Sequence, residues 1–323
     1  MVHTDFSRRA GKPIIDLILI REQGIWRNRH IPYSTGMRGN NSMSGDASQG
    51  RTADSRHADI SSICIAVAAH KPYQMPKDPV YMPLHVGKAL HPDVVLGFQT
   101  DDTGENISEL NASYSELTGL YWLWKNCDDD YKGLVHYRRY LASPDLRKRH
   151  AKNRFDRIAS GSEIAELLKS TDIILPRKRN YYIETIYSHY AHTFDARQFD
   201  ETRKILLDFC AEYVPTFDRV MASKQAHIFN MFVMSRKRFD EYCAWMFPII
   251  NELVKRIPPE SYDAFGARYP GRVSERLLDV WLITNEYGFK ELPVVSPEPV
   301  DWWKKGTGFL MAKFAGKKYT KSF

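Results

Sequence analysis

The sequence predicts an α/β fold built on a mostly parallel sheet that helices cover on both faces. Residues 63–69 form a continuous apolar run, typical of a strand buried on both faces. Further short apolar runs alternate with segments of helical spacing, the order expected of βαβ units. Hydrophobic residues make up 43% of the 323 residues, so a large core is available to bury these elements.

The predicted elements follow the spacing of apolar residues along the chain. Strands are expected at 63–69, 94–96, 133–137, 173–175 and 228–234, and helices at 114–126, 161–169, 198–212, 237–255 and 274–285. Pro72 ends the first strand because proline cannot donate to the ladder. Ser113 and Glu116 have capping-box spacing, and Ser274 is expected to cap the last helix.

The charge distribution separates a folded domain, residues 59–300, from two basic ends. Residues 1–58 hold nine Lys/Arg against five Asp/Glu, and residues 301–323 hold six Lys against one Asp. Of the net charge of +7, the two ends therefore carry +9 and the middle −2. A nearly neutral domain argues against nucleic acid as a partner. The polar, Gly/Ser-rich composition of 33–59 indicates either a flexible arm or a true start codon at Met37 or Met43.

Composition also limits the compartment and the contact with membranes. No run of about 18 apolar residues exists, so no spanning helix is expected, and 13–20 is too short for one. Four widely spaced cysteines predict neither disulfides nor a zinc site, which fits a reducing cytoplasm. Residues 301–323 mix aromatic residues with lysines and favour reversible membrane docking; a disordered tail, or one packed on the domain, is the alternative.

The segment 131–140 carries the strongest chemical signal. A predicted buried strand ends there in His136, Arg138 and Arg139. Guanidinium groups bind phosphate through paired hydrogen bonds, so a diphosphate is a suitable ligand. The alternative is that the arginines pair with acids at 128–130. In parallel sheets ligands bind beyond the carboxyl ends of the strands, which is where this segment is expected to lie.

Two carboxylates are candidates for a catalytic base. Glu275 and Asp279 lie four residues apart, so both fall on one side of the predicted 274–285 helix. Glu275 is expected in its first turn, where the helix dipole favours the ionised form. A purely structural N-terminal charge, or salt bridges to Arg272 and Arg276, is the alternative.

Several blocks together carry a family resemblance. They are residues 81–90, 101–108, 114–126, 133–140, 175–185, 187–192, 227–234 and 271–281. Their most specific motif is His136-Tyr137-Arg138-Arg139-Tyr140. In this order they resemble the capsular and exopolysaccharide biosynthesis family long listed as a domain of unknown function, some members of which are implicated as galactofuranosyltransferases.

The resemblance implies a GT-A-like α/β domain and a nucleotide-sugar-dependent hexosyltransferase. Its donor would be a UDP-sugar and its acceptor a lipid-linked glycan at the cytoplasmic face of the inner membrane, with no nucleic acid bound. Where many such folds hold a divalent metal with Asp-x-Asp, this chain has His136 to Arg139, so no metal cofactor is expected. Mg²⁺ or Mn²⁺ at Asp101 and Asp102 stays open.

The remaining site residues receive roles under the same resemblance. Donor contacts are expected from His70, Lys71, Asp101, Asp102, Asn106, His136, His227 and Asn230, and acceptor contacts from Lys178, Arg179 and Tyr182. The catalytic group comprises Glu275, Asp279, Arg138 and Arg139. Each set also has a structural interpretation as strand-end charge, turn or satisfied core group. A non-catalytic module that binds anionic lipid or nucleic acid, or a nucleotide-sugar hydrolase, is the alternative function.

Overall fold

The computed structural model describes residues 62–298, so the predicted N-terminal arm and basic tail lie outside the described residues. The strands are β1 Ile63–Ala69, β2 Tyr81–His85, β3 Gln99–Thr100, β4 Tyr131–His136, β5 Tyr140–Leu141, β6 Ile173–Pro176, β7 Arg179–Asn180, β8 Gln225–Ala226, β9 Phe232–Ser235, β10 Lys290–Leu292 and β11 Val294–Val295. The helices are α1 Asn111–Tyr114, α2 Leu117–Asn126, α3 Leu146–Arg149, α4 Gly161–Leu168, α5 Ile186–Thr193, α6 Arg197–Phe209, α7 Val214–Ala222, α8 Arg236–Arg256 and α9 Tyr269–Thr284.

In the described part of the chain, seven strands form one sheet in the order β10-β6-β9-β4-β1-β2-β3. Neighbouring strands run parallel except at β9, which is antiparallel to both β4 and β6. Gly133 permits the close approach of β4 and β9, because an added Cβ would lie 2.7 Å from the carbonyl oxygen of Phe232. The mostly parallel sheet with flanking helices confirms the predicted fold class.

Alternate residues of the central strands point to opposite faces of the sheet and pack in two hydrophobic cores. Ala66, Ala68 and Leu134 face the larger core, which also takes the buried sides of α2 and α6 to α9. Ile65 and Val135 face the second core, to which α4 contributes. Because both faces are covered, the polar residues that follow the strands gather at the carboxyl edge of the sheet.

Several sequence predictions of elements were wrong. Residues 94–96 form no strand, whereas β2 was missed because Pro83 lies inside it. The predicted 114–126 helix is split by Ser115, whose φ of 54° breaks the helical path, and no capping box forms there. α9 begins at Tyr269, so Ser274 lies inside the helix, and its hydroxyl donates to the carbonyl of Gly271.

Candidate functional site

A tight turn after β4 fixes the two adjacent arginines. The backbone N–H groups of His136 and Arg139 each donate to the other residue's carbonyl, at 3.1 and 2.8 Å. Tyr137 is buried between them and stacks on Tyr73 with ring centroids 4.0 Å apart. Arg138 is exposed and lies 5.0 Å from the Tyr137 ring centroid. The turn therefore directs cationic side chains to the carboxyl edge of the sheet.

Two basic residues that follow β1 lie at this turn. His70 packs edge-on against Tyr137 at 5.5 Å, and Lys71 lies 5.3 Å from the Tyr73 ring. Burial lowers the pKa of His70, and the positive charges of Lys71, Arg138 and Arg268 lower it further. The cations raise one another's electrostatic energy, so an anion bound among them would be stabilised.

Arg139 lies near Arg138 and also near two carboxylates, Glu275 and Glu116. Its guanidinium lies 4.5 Å from the ring centroid of Phe229. Burial and then Arg138 lower the pKa of Arg139, whereas Glu275 and Glu116 raise it. Positive and negative groups thus face one another across the end of β4.

Glu275 is the half-buried carboxylate of this group, with 18% of its side chain exposed and an ion pair to Arg276. Burial raises the pKa of Glu275, Arg276 opposes that shift, and Glu116 adds to it. The expectation of a first-turn carboxylate kept ionised by the helix dipole was wrong, because α9 begins six residues before Glu275. A carboxylate with a raised pKa accepts a proton more readily, a property required of a general base.

Asn230 places Glu116 in the site. The amide Nδ2 of Asn230 donates to Glu116 Oε1 at 2.8 Å and to the carbonyl of Gly271 at 3.0 Å, and its Oδ1 accepts from Ser274 at 3.0 Å. All these hydrogen bonds are internal, so Asn230 organises the site, as a satisfied core group does.

Three residues in or next to the site have a strained backbone conformation. Ser115, Phe229 and Asn230 have φ values of 54°, 82° and 49°, the left-handed region that costs non-glycine residues about 1–3 kcal/mol each. The Phe229 carbonyl accepts a hydrogen bond from His136 Nε2. Such strain persists only where the surrounding structure imposes it, and it gathers at functional sites.

His227 and Asp279 lie together in a separate buried cluster. Asp279 Oδ2 accepts from the His227 backbone at 2.8 Å, and its Oδ1 lies 2.5 Å from His227 Nδ1. The other ring nitrogen lies 2.8 Å from Glu291, and Lys178 lies 3.7 Å from Asp279. Because these groups satisfy one another, the structure indicates that they stabilise the packing of α9 against the sheet.

Asp101 is also engaged internally. Its carboxylate accepts from the backbone N–H groups of Gly87 and Lys88 and from the hydroxyls of Ser108 and Thr118, at 2.5–3.1 Å. These four hydrogen bonds hold the turn after β2 to α2, and they occupy both carboxylate oxygens. The geometry therefore does not support Asp101 as a ribose or metal ligand.

The rest of that loop closes on itself. Asn106 donates to the carbonyls of Asp102 and Gly104 at 3.1 and 3.0 Å. Its side chain thus stabilises the turn, whereas the side chain of Asp102 is exposed.

The three predicted acceptor residues lie on a separate two-stranded ribbon. Arg179 is exposed and lies 5.2 Å from the Tyr181 ring, and Tyr182 is exposed beyond it. The Tyr181 hydroxyl accepts a hydrogen bond of 3.4 Å from Arg276, the partner of Glu275. The side chain of Arg276, which contacts both Tyr181 and Glu275, therefore connects this ribbon to the site.

Sequence reasoning missed Arg268 and His85. Arg268 donates to Ser115 Oγ at 2.9 Å from the loop before α9, and no motif marks it. His85 ends β2 and is 1% exposed, and within residues 62–298 neither ring nitrogen has a hydrogen-bond partner. Burial lowers the pKa of His85. A polar residue that ends a buried strand is the signal that could have identified it.

One group among the described residues has metal-binding composition. The ligand atoms of Cys64, Cys127 and Asp129 lie within 4.8 Å of one another. The Cys127 thiol donates to Asp129 at 3.1 Å. Cys64 is the second residue of β1, so this group lies at the amino end of the strand whose other end carries His70.

These features define a class: an α/β domain with basic side chains and carboxylates together at the carboxyl edge of its sheet. Residues 64–286 match the family described as Domain of unknown function (DUF4422), and the chain belongs to that family. No curated protein matches the chain. In residues 62–298 no helix is both long and apolar enough to cross a bilayer.

One solved structure similar to this chain is that of the WbbM bifunctional glycosyltransferase in its apo form. It is 30% identical over 72% of this chain, with a TM-score of 0.67. The similarity covers 45% of that longer protein, so this chain spans less than half of it.

Proposed function

We propose that this chain is a glycosyltransferase that moves a hexose from a UDP-sugar to a glycan acceptor. The observation that carries the proposal is the placement of Arg138, Arg139, His70 and Lys71 at the sheet edge, with Glu275 close to Arg139. Arg138, Arg139 and Lys71 supply positive charge that suits a departing diphosphate, and a carboxylate beside them suits proton removal. The similarity to the WbbM structure supports the same class.

The proposed reaction is a direct displacement. The acceptor hydroxyl oxygen attacks the anomeric carbon, the bond from that carbon to the phosphate oxygen breaks, and the hydroxyl proton passes to Glu275. Negative charge grows on the leaving UDP, where Arg138 and Arg139 stabilise it. Arg276 holds Glu275 through their ion pair, burial raises the pKa of Glu275, and Arg276 and Glu116 shift it in opposite directions.

The finer assignment follows from the family resemblance. The hexose would be galactofuranose, and the acceptor a lipid-linked glycan of capsule, O-antigen or exopolysaccharide synthesis at the cytoplasmic face of the inner membrane. Basic, aromatic residues at 301–323 support a membrane-bound acceptor. Among the predicted donor residues, His70, Lys71 and His136 remain in the proposed site, whereas His227 and Asp101 are engaged elsewhere.

Binding and turnover test the proposal separately. UDP-sugars should raise the thermal unfolding midpoint of the full chain, and product analysis with and without an acceptor should distinguish transfer from hydrolysis. Arg138→Ala with Arg139→Ala should lower turnover by about 10²-fold or more while the fold survives. The matched control is Lys204→Ala with Lys255→Ala, which removes two exposed cations from α6 and α8.

Two outcomes would contradict the mechanism. Full turnover in the double-arginine variant would remove those side chains from catalysis. Turnover should also persist in EDTA, and complete inhibition by the chelator would instead indicate a metal-dependent diphosphate site.

A further inference from the structure

The ribbon formed by β7, β8 and the connected residues 177–183 and 223–224, here called the basic ribbon, presents two large apolar side chains to solvent. Tyr182 is 76% exposed and Ile183 is 64% exposed. Their turn is internally bonded: Asn180 Oδ1 accepts from the Tyr182 backbone at 2.7 Å, and the Ile183 N–H donates to the Tyr181 carbonyl at 2.7 Å. A bonded turn that exposes adjacent apolar residues suits insertion into an apolar phase.

Cations surround this apolar tip. Arg177 and Arg179, just before and within β7, and Lys224, just before β8, are exposed, as is Arg219 near the end of α7. A cleft of about 380 Å³ at the foot of the ribbon is lined by Lys178, Arg219, Val220, Ser223, Lys224, Gln225, Asp279 and Ile283. The surface next to Tyr182 and Ile183 is therefore strongly basic.

The acids near the ribbon do not neutralise this surface. Asp279 is 2% exposed and contacts both His227 and Lys178, so of the ribbon's cations it offsets Lys178. Glu184 directs its carboxylate to His189 and His192, 2.9 Å from each. Basic charge beneath an apolar tip is the complement of an anionic bilayer, whose phosphates lie above its hydrocarbon.

We propose that the basic ribbon docks on an anionic lipid bilayer, with Tyr182 and Ile183 in the interface and the surrounding cations on lipid phosphates. The Tyr181 hydroxyl joins the ribbon to Arg276 and hence to Glu275, so docking would bring the carboxylate site to the membrane surface. Only the purpose of docking, access to a lipid-linked acceptor, rests on the proposed function.

Vesicle sedimentation of the full chain tests the docking. The vesicles contain phosphatidylcholine with about one third phosphatidylglycerol, and no sugar donor is added. Ile183→Asp should lower partitioning at least about tenfold, because it places a charge in the interface. Leu207→Asp is the matched control, since Leu207 on α6 is 55% exposed outside the ribbon. Equal partitioning of these two variants would overturn the proposal.

The cations are tested by a second variant that leaves the tip intact. Each basic residue near an anionic surface contributes roughly fivefold to partitioning, so Arg219→Glu with Lys224→Glu should lower it by at least about 25-fold. Lys204→Glu with Lys255→Glu is the charge-matched control. Equal losses in the two pairs, or equal binding of the wild type to pure phosphatidylcholine, would also overturn the proposal.

Unfolding midpoints and turnover separate this proposal from its alternatives. Each variant should retain the wild-type midpoint, and Ile183→Asp should retain turnover on a soluble acceptor. Absence of turnover in the wild type would contradict the proposed function and leave the vesicle result unaffected, since that measurement contains no donor.

Discussion

Glu275 and Asp279 lie one turn apart on α9, yet their surroundings differ completely. Asp279 is buried, and both of its oxygens contact His227. Glu275 is half-buried near Glu116 and Arg139 and forms an ion pair with Arg276. The difference shows that a shared side of a helix does not give two carboxylates a shared role. The partners supplied by other elements decide it.

The largest expected effect comes from Glu275→Gln. The amide keeps the size of the side chain but cannot take the acceptor proton, so kcat should fall by about 10²–10⁴-fold. Stopped assays with a UDP-sugar and a soluble glycan measure this change, and circular dichroism checks the fold. If kcat changes less than about threefold, Glu275 is not the base and the contrast with Asp279 loses its catalytic meaning.

Asp279→Asn should act on stability instead. It replaces the charged acceptor of two hydrogen bonds from buried His227 with a neutral one, and a hydrogen bond to a charged group contributes about 1.5–3 kcal/mol. Urea unfolding measures this loss. Asp218→Asn, which removes the partner of exposed Arg203, is the control and should cost about 1 kcal/mol or less. Because Glu275→Gln also removes the partner of buried Arg276, kcat of the folded variants decides the comparison, and an equal loss of kcat in Asp279→Asn would reverse it.

The long elements could be predicted from sequence because their spacing is a local property. α8 was predicted at 237–255 and spans Arg236–Arg256, and the buried strands β1 and β6 lie within one residue of their predictions. The apolar run at 228–234 instead divides into a left-handed turn and β9, whose first residue is Phe232. Periodicity cannot show that division, because the reversal at Phe229 and Asn230 is imposed by tertiary contacts.

The site was predictable where polar residues directly follow a buried strand. His136, Arg138 and Arg139 lie at the end of β4 as that rule expects. Asp101 was not predictable, because its partners come from two other segments, at Gly87 and Thr118. Glu116 was interpreted mainly as a helix cap, and only the fold brings Asn230 to it.

The smallest expected effect concerns pH and sharpens the role of Glu275. Glu116 raises the pKa of Glu275, because a nearby negative charge disfavours the ionised base. Glu116→Gln removes that charge, and its Oε1 can still accept from Asn230. The pKa of Glu275 should therefore fall, and the acid limb of the kcat/KM profile should move to lower pH. Glu109→Gln, an exposed change before α1, should leave the limb in place. A limb that moves to higher pH, or moves equally in both variants, would show that the titrating group is not the carboxylate beside Glu116.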